Sequence, residues 1–176
     1  RIPTPARLLA VAALMLTPIV VGAGISPCDL DHPSDASVAW TCRTIGKNES
    51  LEALFGPRWI DVARFNRIDR RHAVPGMRIK VPRRLEEIEC FSPMPERFAP
   101  AATDTQAVVV DLSEQFVGAY EYGRLVFSAP VAAGRADNPT PRGIFRITAY
   151  DRDHHSSVYR IARTNRPYPM HFGLRF

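Results

Sequence analysis

The side chains able to act as nucleophiles, bases or metal ligands in this 176-residue chain are three cysteines, Cys28, Cys42 and Cys90, and five histidines, His32, His72, His154, His155 and His171. Covalent catalysis by a thiol needs a cysteine of depressed pKa beside a positioned histidine. The cysteines sit in the settings SPCDL, WTCRT and IECFS, all before residue 106. No Cys-x-x-Cys or His-x-x-x-His spacing occurs, so no metal site and no cofactor are expected. His154 and His155 fall in the polar stretch DRDHHSS and are expected in an exposed loop. His171 alternates with Met170 and Phe172, which on a strand turns it to the opposite face, where it lines a cleft without serving as the base. His72 is expected at the surface, and His32 lies in a polar segment.

A second group of residues shapes rather than reacts. The loop GRADNPTPRG, Gly134 to Gly143, is rich in turn residues. A phosphate-binding loop is excluded, because no Gly-Lys-Ser/Thr follows and no helix pattern begins there. Pro141 fixes φ, Gly143 permits close backbone approach, and Thr140 can hydrogen-bond within the turn.

The elements around this loop read as β-structure. Ala107-Val108-Val109-Val110-Asp111-Leu112 is a β-branched run, and Gln115–Tyr122 and Leu125–Ala132 alternate, joined by a tight turn at Tyr122-Gly123-Arg124. Gly143–Ile147 reads as a further strand, and so do the residues after Tyr168. The many short strands suggest a sandwich or barrel. Earlier in the chain, Trp40 to Pro82 reads strand, helix, helix, strand. A strand at Val38–Thr44 leads to a helix that starts at Glu49-Ser50-Leu51 and stops at Gly56, where glycine suits a left-handed cap. Pro57 opens a second helix that ends at Asn66, and Gly76–Pro82 turns into an alternating strand. Trp40 and Trp59 are read as core. Residues 83–105 contain prolines and Glu86, Glu87 and Glu89, and read as a linker, partly packed, with Cys90 as its tether.

The region 106–176 resembles the L,D-transpeptidase catalytic domain, a β-sandwich that remodels peptidoglycan. Asp111–Gln115 is similar to its opening strand and turn, and Gly134 to the glycine of its first loop. Thr140-Pro141-Arg142-Gly143-Ile144-Phe145 resembles its Thr-Pro-x-Gly-x-Phe. Tyr168-Pro169-Met170-His171-Phe172 and Arg175-Phe176 resemble the strand leading toward its active site. The resemblance implies a substrate-cleft framework of Gly134, Thr140, Pro141, Gly143, Tyr168, Met170 and His171. It also implies cysteine acyl transfer on stem peptides, using a His-Gly and a later Ser-His-Gly-Cys-x-Arg. Neither motif occurs in the 176 residues, so no catalytic residue is assigned, and this copy is expected to be incomplete and inactive.

Residues 38–82 resemble a LysM module. Glu49-Ser50-Leu51 matches its acidic-hydroxyl-Leu turn, Asn66-Arg67-Ile68 its Asn-x-Ile, and Gly76–Pro82 its closing strand. Asn48 stands where that family has glycine, and is expected to keep the same positive φ. The resemblance implies glycan contact through Ser50 and Asn66; a degenerate module serving as a spacer is the competing reading. The fold class is thus mixed: a small βααβ module, then an incomplete all-β sandwich.

Residues 1–27 hold the apolar run LLAVAALMLTPIVVGAG after Arg1 and Arg7. That is a targeting segment, either a signal peptide cleaved after Val21-Gly22-Ala23 or a retained membrane anchor. Both outcomes export the rest to the periplasm or the outer face of the membrane. Disulfides are the usual fate of cysteines there. Cys28 and Cys42 are the candidate pair; Cys90 is the odd one, or pairs with Cys42 instead, or with a residue beyond the chain. The chain is 45% hydrophobic and 23% charged, which excludes wholesale disorder. Its net charge is +5, but dispersed arginines without interleaved aromatics do not form a nucleic-acid groove. The expected partner is peptidoglycan, through glycan and stem peptide. A non-catalytic peptidoglycan-binding scaffold is the alternative to the enzyme.

Overall fold

Ser50 ends an extended stretch, and its Oγ accepts a hydrogen bond from the Ala53 N–H at 3.2 Å. This cap satisfies one of the otherwise unpaired amides that open a helix. In the computed structural model, which describes residues 25–134 and 137–176, the helix that follows is α1, Leu51–Phe55. Gly56 stops it with φ of 53°. A 3-10 turn at Gly56–Arg58 carries Pro57, and α2 runs Trp59–Phe65. The flanking strands β1, Trp40–Thr44, and β2, Arg78–Pro82, pair antiparallel with Thr41 opposite Val81 and Arg43 opposite Ile79. The strand-helix-helix-strand order is therefore as the sequence pattern suggests.

Leu51, Val62, Phe65, Ile79 and Ile88 are at most 1% exposed and form the core of this layer, with Trp40 and Trp59 packed against it. Each such side chain stabilises by roughly 1.5–3 kcal/mol when fully buried. Asn48 does not adopt the expected positive φ. The turn is held instead by Glu49, whose carboxylate accepts from the Gly46 N–H at 2.8 Å and pairs with Arg43 at 2.8 Å. A carboxylate that closes the turn removes the need for a left-handed residue.

The next three strands form a meander, β3 (Ala107–Asp111), β4 (Phe116–Glu121) and β5 (Arg124–Pro130), in the order β3-β4-β5. Tyr122 and Gly123 both have positive φ, 47° and 71°, as the two-residue hairpin between β4 and β5 requires. Phe116 and Tyr120 point to one face and are buried with Met94, against Phe91 and Phe98. The other face shows Val108, Val110, Val126 and Phe127 at 48–60% exposure. The expected sandwich is thus represented by one sheet with a single covered face. Residues 83–105 pack through Ile88, Phe91 and Met94 rather than through Cys90, which is exposed.

A buried ionic cluster joins the βααβ layer to this sheet. Arg67, just past α2, has φ of 53° and a side chain 2% exposed. Its guanidinium donates to Asp35 Oδ1 at 2.8 Å, to Ser34 Oγ at 2.8 Å, and to Glu114 Oε2 at 2.9 Å. It also donates to the Phe65 carbonyl and stacks near the Phe91 and Phe116 rings, 5.3 and 5.6 Å from their centroids. Lys80, 1% exposed, donates to Asp35 and to the Leu30 carbonyl. Arg64 adds a second link, donating to the Phe91 carbonyl at 2.9 Å and to the Ser128 carbonyl at 2.9 Å.

The chain divides into two compact units, Arg1–Ala132 and Ala133–Phe176. The second is a long two-stranded ribbon. Its outer part pairs β6, Ala149–Asp151, with β9, Gly173–Arg175, and its inner part pairs β7, His155–Arg160, with β8, Pro167–Pro169. Gly143–Ile147 is not a strand as expected: the segment is irregular, and Ile144 is fully exposed. A strand needs a partner for its amides, and no ladder reaches these residues. The strand expected over Tyr168–Phe172 breaks at His171-Phe172, where Phe172 takes φ of 64° and its N–H bonds the Arg152 carbonyl at 3.0 Å.

The apolar run LLAVAALMLTPIVVGAG lies outside the described residues, which begin just before a 3-10 turn at Pro27–Asp29. Among the described residues no helix is long and apolar enough to cross a membrane.

Burial acts to raise the pKa of Asp35, but hydrogen bonds from Lys80 and the His32 N–H, with the charge of Arg67, outweigh it and hold the carboxyl below the ordinary range. A folded value below the unfolded one means that this stability is complete above about pH 4 and is lost as pH falls through the folded value. Asp35→Asn is expected to destabilise by about 3–5 kcal/mol near neutral pH, because it leaves Lys80 and Arg67 short of a buried counter-charge. Urea unfolding measured from pH 7 to pH 2 should show the loss, and its acid-side decline should be shallower in the variant. Residues 106–176 expressed alone should aggregate, since Phe116 and Tyr120 would lose their cover; a soluble, cooperatively folding monomer would contradict this.

Candidate functional site

Gly134 and Thr140 are brought together as the turn chemistry requires. The Gly134 N–H donates to Thr140 Oγ1 at 2.7 Å. A side chain at Gly134 would stand 2.3 Å from the Asn138 carbonyl oxygen and 2.6 Å from the Thr140 nitrogen, so the loop closes only over glycine. Pro141 and Gly143 follow on the exposed limb, Gly143 with φ of 148°. Beyond them the Phe145 ring lies 5.1 Å from that of Phe176.

The other framework residues lie along the ribbon. Tyr168, in β8, is 49% exposed, and Met170, 47% exposed, donates its N–H to the His154 carbonyl at 2.8 Å. The His171 side chain is 55% exposed, with Nδ1 3.8 Å from Asp153 Oδ1 and its ring 6.3 Å from that of His155. It sits in a turn rather than on the expected alternating strand, because the positive φ at Phe172 interrupts the extended backbone between β8 and β9. His154 bonds Asp151 Oδ2 through Nδ1 at 3.2 Å, and His155 opens β7. No hydrogen bond or ring contact among the described residues links His171 to Gly134 or Thr140.

Residues 105–176 hold no cysteine. Cys28 and Cys42 form a disulfide, with their Cα atoms 6.0 Å apart. Cys90 is the free cysteine and does not pair with Cys42. The described residues hold no group of three His, Cys, Asp or Glu suited to a metal ion.

The two residues expected to touch glycan differ. Ser50 is exposed; its Oγ accepts from the Ala53 N–H, and with the Glu52 backbone N–H its hydroxyl side chain helps to hold the Glu52 carboxyl below its ordinary range. Asn66 is 4% exposed. Its Nδ2 donates to the Val62 and Lys80 carbonyls, both at 2.8 Å, and its Oδ1 accepts from the Lys80 N–H at 2.6 Å. Both amide hydrogens are spent bracing α2 against β2, so the structure gives Asn66 a bracing role in place of the sugar contact.

The fold defines a small mixed protein: a βααβ layer, a covered three-stranded sheet, and a β-ribbon preceded by a glycine-closed loop. Residues 105–174 match the family model of YkuD, the L,D-transpeptidase catalytic domain. The match does not extend to the βααβ layer. No curated protein and no solved structure matches the chain.

Sequence reasoning missed Asp35, Arg67, Lys80 and Glu114. One signal was present: Lys80 is one of two lysines among 23 basic residues and sits between Ile79 and Val81 in a strand that must bury a face. Thr140→Val should remove the acceptor for the Gly134 amide and raise its hydrogen exchange about tenfold, while Thr140→Ser should leave it near the original rate. Mass-spectrometric exchange on the peptide containing Gly134 separates the two.

Proposed function

We propose that the chain serves peptidoglycan, with residues 106–176 forming the substrate-cleft framework of an L,D-transpeptidase and the βααβ layer a LysM-like glycan contact. The observation that carries the reading is the match of residues 105–174 to the L,D-transpeptidase catalytic domain. The Gly134–Thr140 closure supports it, since that turn is built from the residues on which the likeness rests. The reaction class is acyl transfer. A cysteine thiolate attacks the carbonyl of the third stem-peptide residue, D-Ala leaves, and the acyl group passes to an amine.

Residues 105–176 contain histidines but no cysteine, so no bond-making step is assigned to them. Their part is to bind and orient the stem peptide. In the βααβ layer Ser50 remains the candidate glycan contact. Function on peptidoglycan places the protein outside the cytoplasm, where a Cys28–Cys42 disulfide is at home. The second reading is a peptidoglycan-binding scaffold without catalysis.

Insoluble peptidoglycan should co-sediment the 176-residue chain, and no enrichment over an unrelated protein of equal charge would defeat both readings. A carbapenem should leave every residue of 105–176 unmodified on peptide mapping, and an adduct there would overturn the framework role. Protein purified at its natural length from its own cells separates the readings: an acyl adduct supports the transpeptidase, and none supports the scaffold.

A further inference from the structure

The disulfide and the buried ionic cluster occupy the same loop. Cys28 and Cys42 close a ring in which Leu30, His32, Ser34 and Asp35 all lie. Both acceptors of Lys80, the Leu30 carbonyl and the Asp35 carboxylate, come from inside that ring. Arg67 takes Asp35 and Ser34 from it. Glu114, at the β3–β4 turn, accepts from the Ser34 N–H at 2.8 Å and from Ser34 Oγ at 2.6 Å, while His32 Nδ1 lies 3.0 Å from the Ser113 carbonyl oxygen. The ring has no helix longer than a 3-10 turn of five residues to keep its own shape.

We infer that the Cys28–Cys42 disulfide is a redox latch: closing it seats Asp35 between Lys80 and Arg67 and joins the βααβ layer to the β3–β5 sheet, and reducing it opens that junction. Opening the ring returns conformational freedom to a loop whose polar side chains neutralise two buried cations. Lys80 is 1% exposed and donates to no other acceptor among the described residues, so partial withdrawal of the loop leaves a buried ammonium without a counter-charge. The junction is therefore shut or open, with little between. Cys42 is exposed and Cys28 partly so, which lets a thiol reach the bond.

The exchange balances as a two-electron step. A dithiol such as dithiothreitol attacks one sulfur as its thiolate, the Cys28–Cys42 bond breaks, two electrons and two protons end on the cysteines, and the reagent leaves as its cyclic disulfide. Closure runs the other way with oxidised glutathione, which departs as two thiols. A chain made in a reducing compartment would keep the junction open until it met a disulfide oxidant.

The test is hydrogen exchange of the folded 176-residue chain, carrying Cys90→Ser to prevent intermolecular bonds, before and after dithiothreitol is added under native conditions. Peptides covering residues 111–118 and 64–68 should lose protection roughly a hundredfold on reduction, and oxidised glutathione should restore it. Asp35→Asn with the disulfide intact should lose protection at the same peptides. Unchanged protection at 111–118 in the reduced chain would overturn the latch. Unchanged protection in oxidised Asp35→Asn would overturn the role of the carboxylate. Because reduction is applied to protein already folded, the first outcome does not depend on the folding of any variant that lacks Cys28 or Cys42.

Discussion

The guanidinium of Arg67 is the point through which the first unit is joined. It lies 2% exposed between two carboxylates, one from the loop before β1 and one from the turn between β3 and β4, with aromatic rings beside it. A buried cation is costly unless paired and hydrogen-bonded, and here its donors meet Asp35, Ser34, Glu114 and backbone carbonyls. Arginine suits the position because its planar fork offers five donors in a fixed geometry, against the three of an ammonium. The positive φ of the same residue turns the chain out of α2 and aims the side chain at the sheet.

Such a cluster contributes specificity more readily than net stability. Well-packed apolar residues could fill the same space at no greater cost, but they would not dictate which loop meets which turn. Asp35 is matched to Lys80 and Arg67, and Glu114 to Arg67 and Ser34, so a shifted register would strand a charge. The three-stranded sheet depends on this choice, since its Phe116 and Tyr120 face is covered by Phe91, Met94 and Phe98 from the segment after the βααβ layer. The second unit is built differently. Its strands pair, but among its described residues Ser156 is the one that is buried, and its tyrosines, phenylalanines and Met170 stand exposed. Backbone pairing fixes the ribbon's register, and no packed core supports its side chains.

The local elements were readable because their causes are local. Ser50 before Leu51, Gly56 after Phe55, and the Tyr122-Gly123 turn each act within a few residues, and each appears where the pattern put it. The Gly134–Thr140 closure is local too, its partners six residues apart. The readings that failed depended on partners far along the chain. Gly143–Ile147 has the composition of a strand but no ladder to join. Asn66 reads as the end of the second helix and, through the LysM resemblance, as a glycan contact, until β2 arrives to take its amide. Residues 83–105 read as a linker because their prolines hide three buried or packed apolar side chains, Ile88, Phe91 and Met94.

By itself the sequence determined the order of strand, helix, helix and strand, the three-stranded meander, the turn residues of the Gly134 loop, and the segment that matches the L,D-transpeptidase catalytic domain. These follow from periodicity, capping and glycine or proline chemistry, which act over a few bonds. Tertiary structure alone decided that Cys28 pairs with Cys42 and leaves Cys90 free, that Asn66 braces rather than binds, and that four charged residues meet at one buried point. Those outcomes bring together residues up to 79 positions apart, from Asp35 to Glu114. No local rule encodes them, because a charge is stable in the interior only when the whole fold delivers its partner.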